Sequence, residues 1–227
     1  MNEEQWLSGA DPTLMLDHLR ESVGASDRKL RLFAVACCRR LLHLRWPDAV
    51  QEALEVAERF VDGQATAEDL RRAAADAARY DGTFPLGLRA GAVARACGPD
   101  ARDAASATGQ VVSALYVAAG RSDSVRRAEA AEHGDLLRCL FGNPFRVPVP
   151  IGPAVLTWND GCVPKLVQAA YEERSWADGT LDRTRLAVLA DALEESGYVG
   201  AEILGHLRGP GPHVRGCHAV DAILGRG

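Results

Sequence analysis

The stretch SDRKLRLFAVACCRRLLHLRWP (residues 26–47) indicates a helix more clearly than any other part of the chain. Ser26 is a favourable N-cap residue, and the pattern stops before Pro47 because proline cannot continue a helix. Apolar side chains return at helical spacing between these ends, at Leu30, Phe33, Cys37, Leu41 and Leu44. The spacing predicts an amphipathic helix whose apolar face meets a core and whose opposite side is basic.

Helix start signals and apolar spacing also define the neighbouring segments. Asp11 is a candidate N-cap for a helix over residues 12–23, and residues 48–61 form a further amphipathic pattern. Thr66 and Asp69 have the spacing of a capping box at the start of an alanine-rich helix. The first third of the chain is therefore predicted to be a series of helices.

The remainder of the chain continues this pattern except at one proline-rich segment. Alanine-rich residues 86–140 predict three helices, and the prolines of residues 143–156 predict an extended arm. Four shorter helices are predicted beyond it, at residues 163–174, 181–195, 201–207 and 212–224.

We therefore predict an all-α protein of about nine to ten helices, arranged as an irregular bundle or as stacked helical hairpins. An N-terminal lobe covers residues 1–142, the proline-rich arm covers 143–162, and a C-terminal lobe covers 163–227. The length of 227 residues allows these parts to pack together as one structural domain.

Composition restricts the class of protein. The fractions of hydrophobic residues, 47%, and charged residues, 25%, are typical of a globular chain rather than a disordered one. No signal peptide or membrane-spanning stretch is apparent, so we expect a cytoplasmic protein without a membrane partner. Six cysteines without a CxxC pair predict reduced, mostly buried thiols.

Basic residues of the helix within residues 26–45 form the densest positive cluster, which includes Arg28, Lys29, Arg39 and Arg40. Such a cluster can bind phosphates of a nucleic acid or an acidic partner. It can equally be a solvated face, or it can pair with the acidic residues of the following helix. The net charge of −5 and the lack of interleaved aromatic residues make nucleic-acid binding the alternative rather than the preferred function.

The C-terminal sequence GPGPHVRGCHAVDAILGRG places His213 and Cys217 four residues apart. On a helix beginning at Pro212 these two side chains share one face, where they either pack in a core or bind a metal with His206, His218 or Cys162. Two residues at ligand spacing do not complete a tetrahedral site. We therefore predict core packing, without a metal, a cofactor or a catalytic residue.

The segment TWNDG suggests a weaker candidate site. Trp158, Asn159 and Asp160 stand in a predicted turn before a helix, where the polar pair is explained by capping and the indole by packing between lobes. A cleft between lobes can also hold a small molecule, so a small-molecule or metal-dependent enzyme with a site near Trp158 or near His213 and Cys217 is a further alternative.

No phosphate loop, dinucleotide fingerprint or metalloprotease motif occurs in the chain. The segments SDRKLRLFAVACCRR, FGNPF, TWNDG, LADALEESG and HVRGCHAVDAILG resemble a large group of helical proteins from planctomycete bacteria. The resemblance implies a bacterial intracellular helical protein and supplies no catalytic residue. The preferred prediction is a non-enzymatic helical protein that interacts with or regulates another protein.

Overall fold

The computed structural model describes residues 1–41, 46–80, 86–118, 120–175 and 178–226. The last residues of the predicted helix over 26–45, together with its basic residue at position 45, lie outside the described residues. Across the described residues the structure has twelve α-helices and no strand, which confirms the predicted all-α class with more helices than expected. They are α1 (Glu3–Ser8), α2 (Pro12–His18), α3 (Asp27–Arg39), α4 (Asp48–Val61), α5 (Ala67–Ala78), α6 (Leu86–Ala96), α7 (Ala101–Ala118), α8 (Asp123–Phe141), α9 (Pro153–Glu172), α10 (Arg183–Glu195), α11 (Ala201–Arg208) and α12 (His218–Leu224).

Local capping residues set several of these helix ends as predicted. The Asp11 carboxylate accepts hydrogen bonds from two backbone N–H groups in the first turn of α2. Ser26 accepts a hydrogen bond from the backbone of Lys29 at the start of α3, and Thr66 with Asp69 forms the predicted capping box of α5. α2 continues through a π-helical turn over Leu19–Val23.

The proline-rich arm is shorter than predicted. Residues 143–152 lack regular helix, but α9 begins at Pro153 because proline is well suited to the first helical position. The predicted turn is present as a break inside α9, where Asn159, Asp160 and Gly161 have positive φ angles of 48°, 54° and 73°. This break separates two helical halves of α9.

α3 occupies the centre of the N-terminal helices. It packs against α4, α6, α7 and α8, and every residue from Lys29 to Arg39 is buried. Of the alternatives left open for the basic side of α3, a solvated face does not fit, because neighbouring helices cover α3 on nearly all sides. The basic side chains of α3 must find partners inside the protein.

The C-terminal helices are joined to this group through α12. α9 packs against α10 and α12, α11 packs on α10, and α12 also contacts α8. Asp221 of α12 accepts hydrogen bonds or ion pairs from Arg28 at 2.5 Å, Lys29 at 2.6 Å and the Tyr171 hydroxyl at 2.9 Å. A buried carboxylate thus links α12 to both α3 and α9.

Candidate metal centre

Four side chains with metal-binding atoms meet between the end of α8 and the C-terminal segment. Cys139 lies in the last turns of α8, His206 lies in α11, and His213 and Cys217 lie in the loop that joins α11 to α12. Their ligand atoms, one from each side chain, all lie within 4.8 Å of one another. Cys139, His213 and Cys217 are buried, and His206 is partly exposed. The fold therefore brings two thiols and two imidazoles into one small volume.

Residues 212–217 were predicted to be the first part of a helix over 212–224, and this part of the prediction is wrong. α12 begins at His218, and the preceding residues form a turn in which Gly211 and Gly216 both have a φ of +87°. A Cβ atom on Gly216 would lie 2.6 Å from Leu32 Cδ1 of α3, so the loop passes directly over the core. Glycine and proline override the helical spacing of His213 and Cys217, yet the loop still brings the two residues together.

His213 is held with one ring nitrogen directed at the cluster. Its backbone carbonyl accepts a hydrogen bond from Leu181 N–H at 2.8 Å, which fixes the loop. On the ring, Nε2 lies 3.2 Å from the Gly209 carbonyl and donates to it, so the proton is on Nε2. Nδ1 is buried and has no hydrogen-bond partner. Nδ1 therefore carries the lone pair that a metal ion requires.

His206 is in direct contact with Cys217 and with the His213 ring. His206 Nε2 lies 3.2 Å from Cys217 Sγ, and the His206 and His213 rings meet nearly edge to face with centroids 4.8 Å apart. His206 and Cys217 are thus held against each other, and the His213 ring is held by its bond to the Gly209 carbonyl, as is usual for metal ligands.

The protonation of the two thiols is linked. Burial raises the pKa of the Cys139 thiol well above its ordinary value, and the neighbouring Cys217 adds to the increase. Burial also acts to raise the pKa of Cys217, but hydrogen bonds from Cys139 and His206 to the thiolate outweigh it and lower the pKa well below its ordinary value. One thiolate is therefore favoured within the pair, and a bound cation would favour the second.

His218 and Cys162, two residues considered from the sequence as further ligands, are not part of this group. His218 Nδ1 lies 3.0 Å from the Cys139 carbonyl, and its ring packs 4.3 Å from that of His206. Burial lowers the pKa of His218 and favours its neutral form. Cys162 lies in α9 and is partly exposed. His218 therefore contacts the Cys139 backbone and the His206 ring, and it is not one of the four candidate ligands.

This donor set has the composition and size of a tetrahedral zinc site. Zinc bound by two cysteines and two histidines has Zn–S distances of about 2.3 Å, which correspond to about 3.8 Å between the two sulfurs. The largest separation here, 4.8 Å, requires the ligand atoms to move together by about 1 Å on binding. With Cys139 and His206 added, His213 and Cys217 belong to a group of four possible zinc ligands. The reason for predicting that His213 and Cys217 only pack in the core, namely the lack of further ligands, therefore no longer holds.

The predicted basic cluster of α3 is not a continuous solvent-exposed surface. Arg28 and Lys29 form ion pairs with Asp221 in α12. Arg39 Nε donates a hydrogen bond to Glu58 in α4 at 2.8 Å, and Arg40 has different partners. The α3–α4 pairing considered from the sequence is thus present at Glu58. Phosphate binding by these side chains would require existing buried ion pairs to break.

Arg40 contacts α8 instead. Its guanidinium lies 3.0 Å from the carboxylate of Glu129 and 2.9 Å from that of Glu132. Burial acts to raise the pKa of Glu129, but hydrogen bonds from His133 and Arg40 hold it well below the ordinary value. The four basic residues therefore diverge toward three different helices, and no shared phosphate site forms among them.

Trp158, Asn159 and Asp160 lie at the break in α9. The indole is partly buried against the hydrophobic core, as expected for a packing role, while Asn159 and Asp160 are exposed. Lys165 Nζ donates to the Asp160 carbonyl at 2.8 Å, which closes the turn. The large cavity described below is lined by other residues.

Cys139 is the site residue that sequence reasoning missed. It lies in the apolar stretch LLRCLFGNPF and has no histidine or cysteine within four residues on either side, so no ligand spacing marks it. Only the packing of α8 against α12 brings it to the loop. Neither a family model nor a curated protein nor a solved structure matches this chain.

Proposed function

We propose that the protein binds one zinc ion through Cys139, His206, His213 and Cys217, and that the ion has a structural role. The single observation that supports this proposal is the convergence of these two thiols and two imidazoles in a mostly buried volume. Because Cys139 belongs to α8 and the other three ligands to the C-terminal segment, the ion would fasten that segment to the rest of the fold.

The donor atoms select zinc among the common divalent cations. Calcium and magnesium prefer oxygen ligands, and none of the four side chains supplies one. Two thiolates and two imidazoles in a tetrahedral arrangement are typical of zinc. The ligand atoms of His206 and His213 lie within 4.8 Å of each other and of the two sulfurs, so one ion could contact all four.

A structural role is favoured because the protein itself supplies four ligands. Catalytic zinc sites keep one of four positions for water or substrate, whereas structural sites are closed by protein side chains. Two of the ligands, Cys139 and Cys217, are also almost completely inaccessible to solvent. The non-enzymatic interaction role expected from the sequence is compatible with a closed site, and it stays a prediction.

Zinc binding would also remove an energetic cost within the site. An unpaired buried nitrogen such as His213 Nδ1 costs about 1–3 kcal/mol, and an ion would satisfy it. Structural zinc contributes an apparent binding free energy on the order of 10–16 kcal/mol at neutral pH, and this energy adds to folding stability. The C-terminal segment is expected to depend on the ion for its position.

Metal analysis of the purified full chain tests the proposal. We expect about one zinc per chain, and we expect Cys217→Ser to remove most of it because a serine hydroxyl is a poor zinc ligand. Cys162→Ser is the matched control, since it makes the same change at a cysteine of α9 that is outside the group. Zinc retained by Cys217→Ser, or lost equally in both variants, would contradict the proposal.

Chelation provides an independent measurement. Removing the ion from the wild-type chain should lower its melting temperature, and the addition of zinc, but not magnesium, should restore it. The melting temperature of Cys217→Ser should respond weakly to either treatment. A wild-type chain that contains no zinc and gains no stability when zinc is added would show that the four residues are only part of the core.

A further inference from the structure

A large cavity lies away from the candidate metal centre, between α2, α7 and α8 with α3 at its base. Its volume is about 610 Å³, within the range of pockets that hold small molecules. Leu16, Phe33 and Val117 contribute apolar walls from three different helices. The cavity is thus large enough and apolar enough to enclose the hydrocarbon part of a ligand.

A histidine is positioned in the wall of this cavity by a buried carboxylate. His133 is 3% exposed, and its Nε2 lies 3.3 Å from Glu129 Oε1. The Glu129 carboxylate also receives Arg40 at 3.0 Å and the Tyr116 hydroxyl at 3.2 Å, so its oxygens are already occupied. The carboxylate therefore lies beside the His133 ring at ion-pair distance, although Nε2 makes no hydrogen bond of regular geometry, and His133 is a lining residue that can contact a ligand.

The tautomer of His133 follows from this contact. A carboxylate beside Nε2 favours the proton on that nitrogen, which leaves the lone pair on Nδ1. In the described part of the chain, Nδ1 of His133 makes no hydrogen bond. The Phe33 ring meets the imidazole at 83° with centroids 6.2 Å apart, which fixes the plane of the ring. The cavity wall thus holds an oriented hydrogen-bond acceptor.

The charges around the cavity favour a cation. Of its lining carboxylates, Glu129 is already paired with Arg40, which leaves Asp11 and Asp17; Arg126, the guanidinium among the described lining residues, is paired with Asp123. Asp17 has only a distant ion pair, at 3.9 Å, with Arg20. Asp11 and Asp17 are therefore the carboxylates that would attract an ammonium group and repel a carboxylate ligand.

We propose that this cavity binds a small organic ammonium ion with an apolar body. The ammonium group donates a hydrogen bond to His133 Nδ1 and is attracted by the carboxylates of Asp11 and Asp17. The apolar body packs against Leu16 and Phe33, and the aromatic ring also favours a nearby cation. This site shares no residue with the zinc ligands, so its test is independent of the zinc proposal.

Titration calorimetry on the purified full chain tests this site with 2-phenylethylamine as the probe. We expect saturable binding of one amine per chain, and no measurable binding of 3-phenylpropanoate, which has a similar apolar body and a negative charge. Equal binding of the two probes, or no binding of the amine at millimolar concentration, would overturn the proposal.

Two variants locate the binding within the cavity. Ala114→Trp fills the cavity from an exposed position of α7 and should abolish amine binding, while Ala75→Trp on the exposed side of α5 should leave it unchanged. His133→Phe keeps a ring but removes the acceptor, and it should weaken amine binding about tenfold to a hundredfold. Circular dichroism checks that His133→Phe is folded, and Ala114→Trp alone is decisive if it is not. Unchanged affinity in Ala114→Trp, or in a folded His133→Phe, would refute the site.

Discussion

Replacing Asp221 with asparagine should destabilise the protein far more than the loss of a surface charge. Asp221 is 1% exposed, and it is the anion that faces both Arg28 and Lys29. Asparagine has nearly the same shape, so the substitution mainly removes the negative charge. The expected effect is therefore electrostatic, and it concerns the link between α12 and α3.

The magnitude follows from the partners that remain. Arg28 keeps Asp62 at 3.1 Å, but Lys29 keeps only the Gly216 carbonyl at 2.6 Å and becomes a buried cation without an anion. Removing one partner of a buried ion pair costs about 3–5 kcal/mol, and the asparagine carbonyl can still accept a hydrogen bond, so the lower end applies. A loss of about 3 kcal/mol corresponds to a melting temperature lowered by about 6–12 °C in a chain of this size.

Thermal and urea denaturation followed by circular dichroism measure this loss. Asp191→Asn is the matched control, because Asp191 pairs with Arg208 at 2.6 Å while its side chain is 65% exposed. An exposed ion pair contributes about 0–1 kcal/mol, so the control should be nearly as stable as the wild type. If Asp221→Asn and Asp191→Asn lower stability by the same amount, the reasoning from burial and unpaired charge is wrong.

Two further predictions concern α8. Gly142→Ala should cost about 1–3 kcal/mol of folding free energy, because Gly142 has a φ of +65° and an added Cβ would lie 2.8 Å from His218 Cδ2. Gly152→Ala is the control, because an added Cβ at that position meets open space, and it should leave stability unchanged. Equal melting temperatures for the two variants would contradict this prediction. Glu129→Gln should destabilise the protein at neutral pH, because the lowered pKa of Glu129 means that its ionised form stabilises the fold. This contribution is fully present above the unfolded-state pKa of about 4.3 and is lost as the pH falls through the lower folded-state value. The difference in stability between wild type and Glu129→Gln should therefore shrink below about pH 4, and a difference that grows on acidification would refute the assignment.

The parts of the fold that the sequence predicts correctly depend on local interactions. Asp11, Ser26 and the pair Thr66 and Asp69 bond to backbone groups within three residues, so each signal and its effect occupy the same short stretch. The helix predicted over residues 212–224 is present only from His218 to Leu224, and the spacing was misleading for residues 212–217. Glycine and proline in that stretch weaken a helix, and contacts to α3 and Leu181 then stabilise a turn instead.

The candidate metal centre depends on contacts between distant parts of the chain. Spacing identifies His213 and Cys217 as a pair, but Cys139 reaches them only because α8 and α12 pack together. The partners of Arg28 and Arg40 are likewise on other helices, so the sequence leaves a solvated basic face and ion pairing as alternatives, and the fold has the ion pairs. Sequence patterns alone do not specify which helices pack together. The metal centre and the partners of the basic residues both depend on that packing.

The distance along the chain between Cys139 and Cys217 has a consequence for biosynthesis. A ribosome adds roughly 5–20 residues per second, so α8 exists for several seconds before the last of the four donors has been made. During that interval the loop over residues 209–217 has not yet been made, so the Cys139 thiol can react with oxidants and bind other metal ions. The nascent chain therefore passes through a vulnerable stage that the finished protein no longer has.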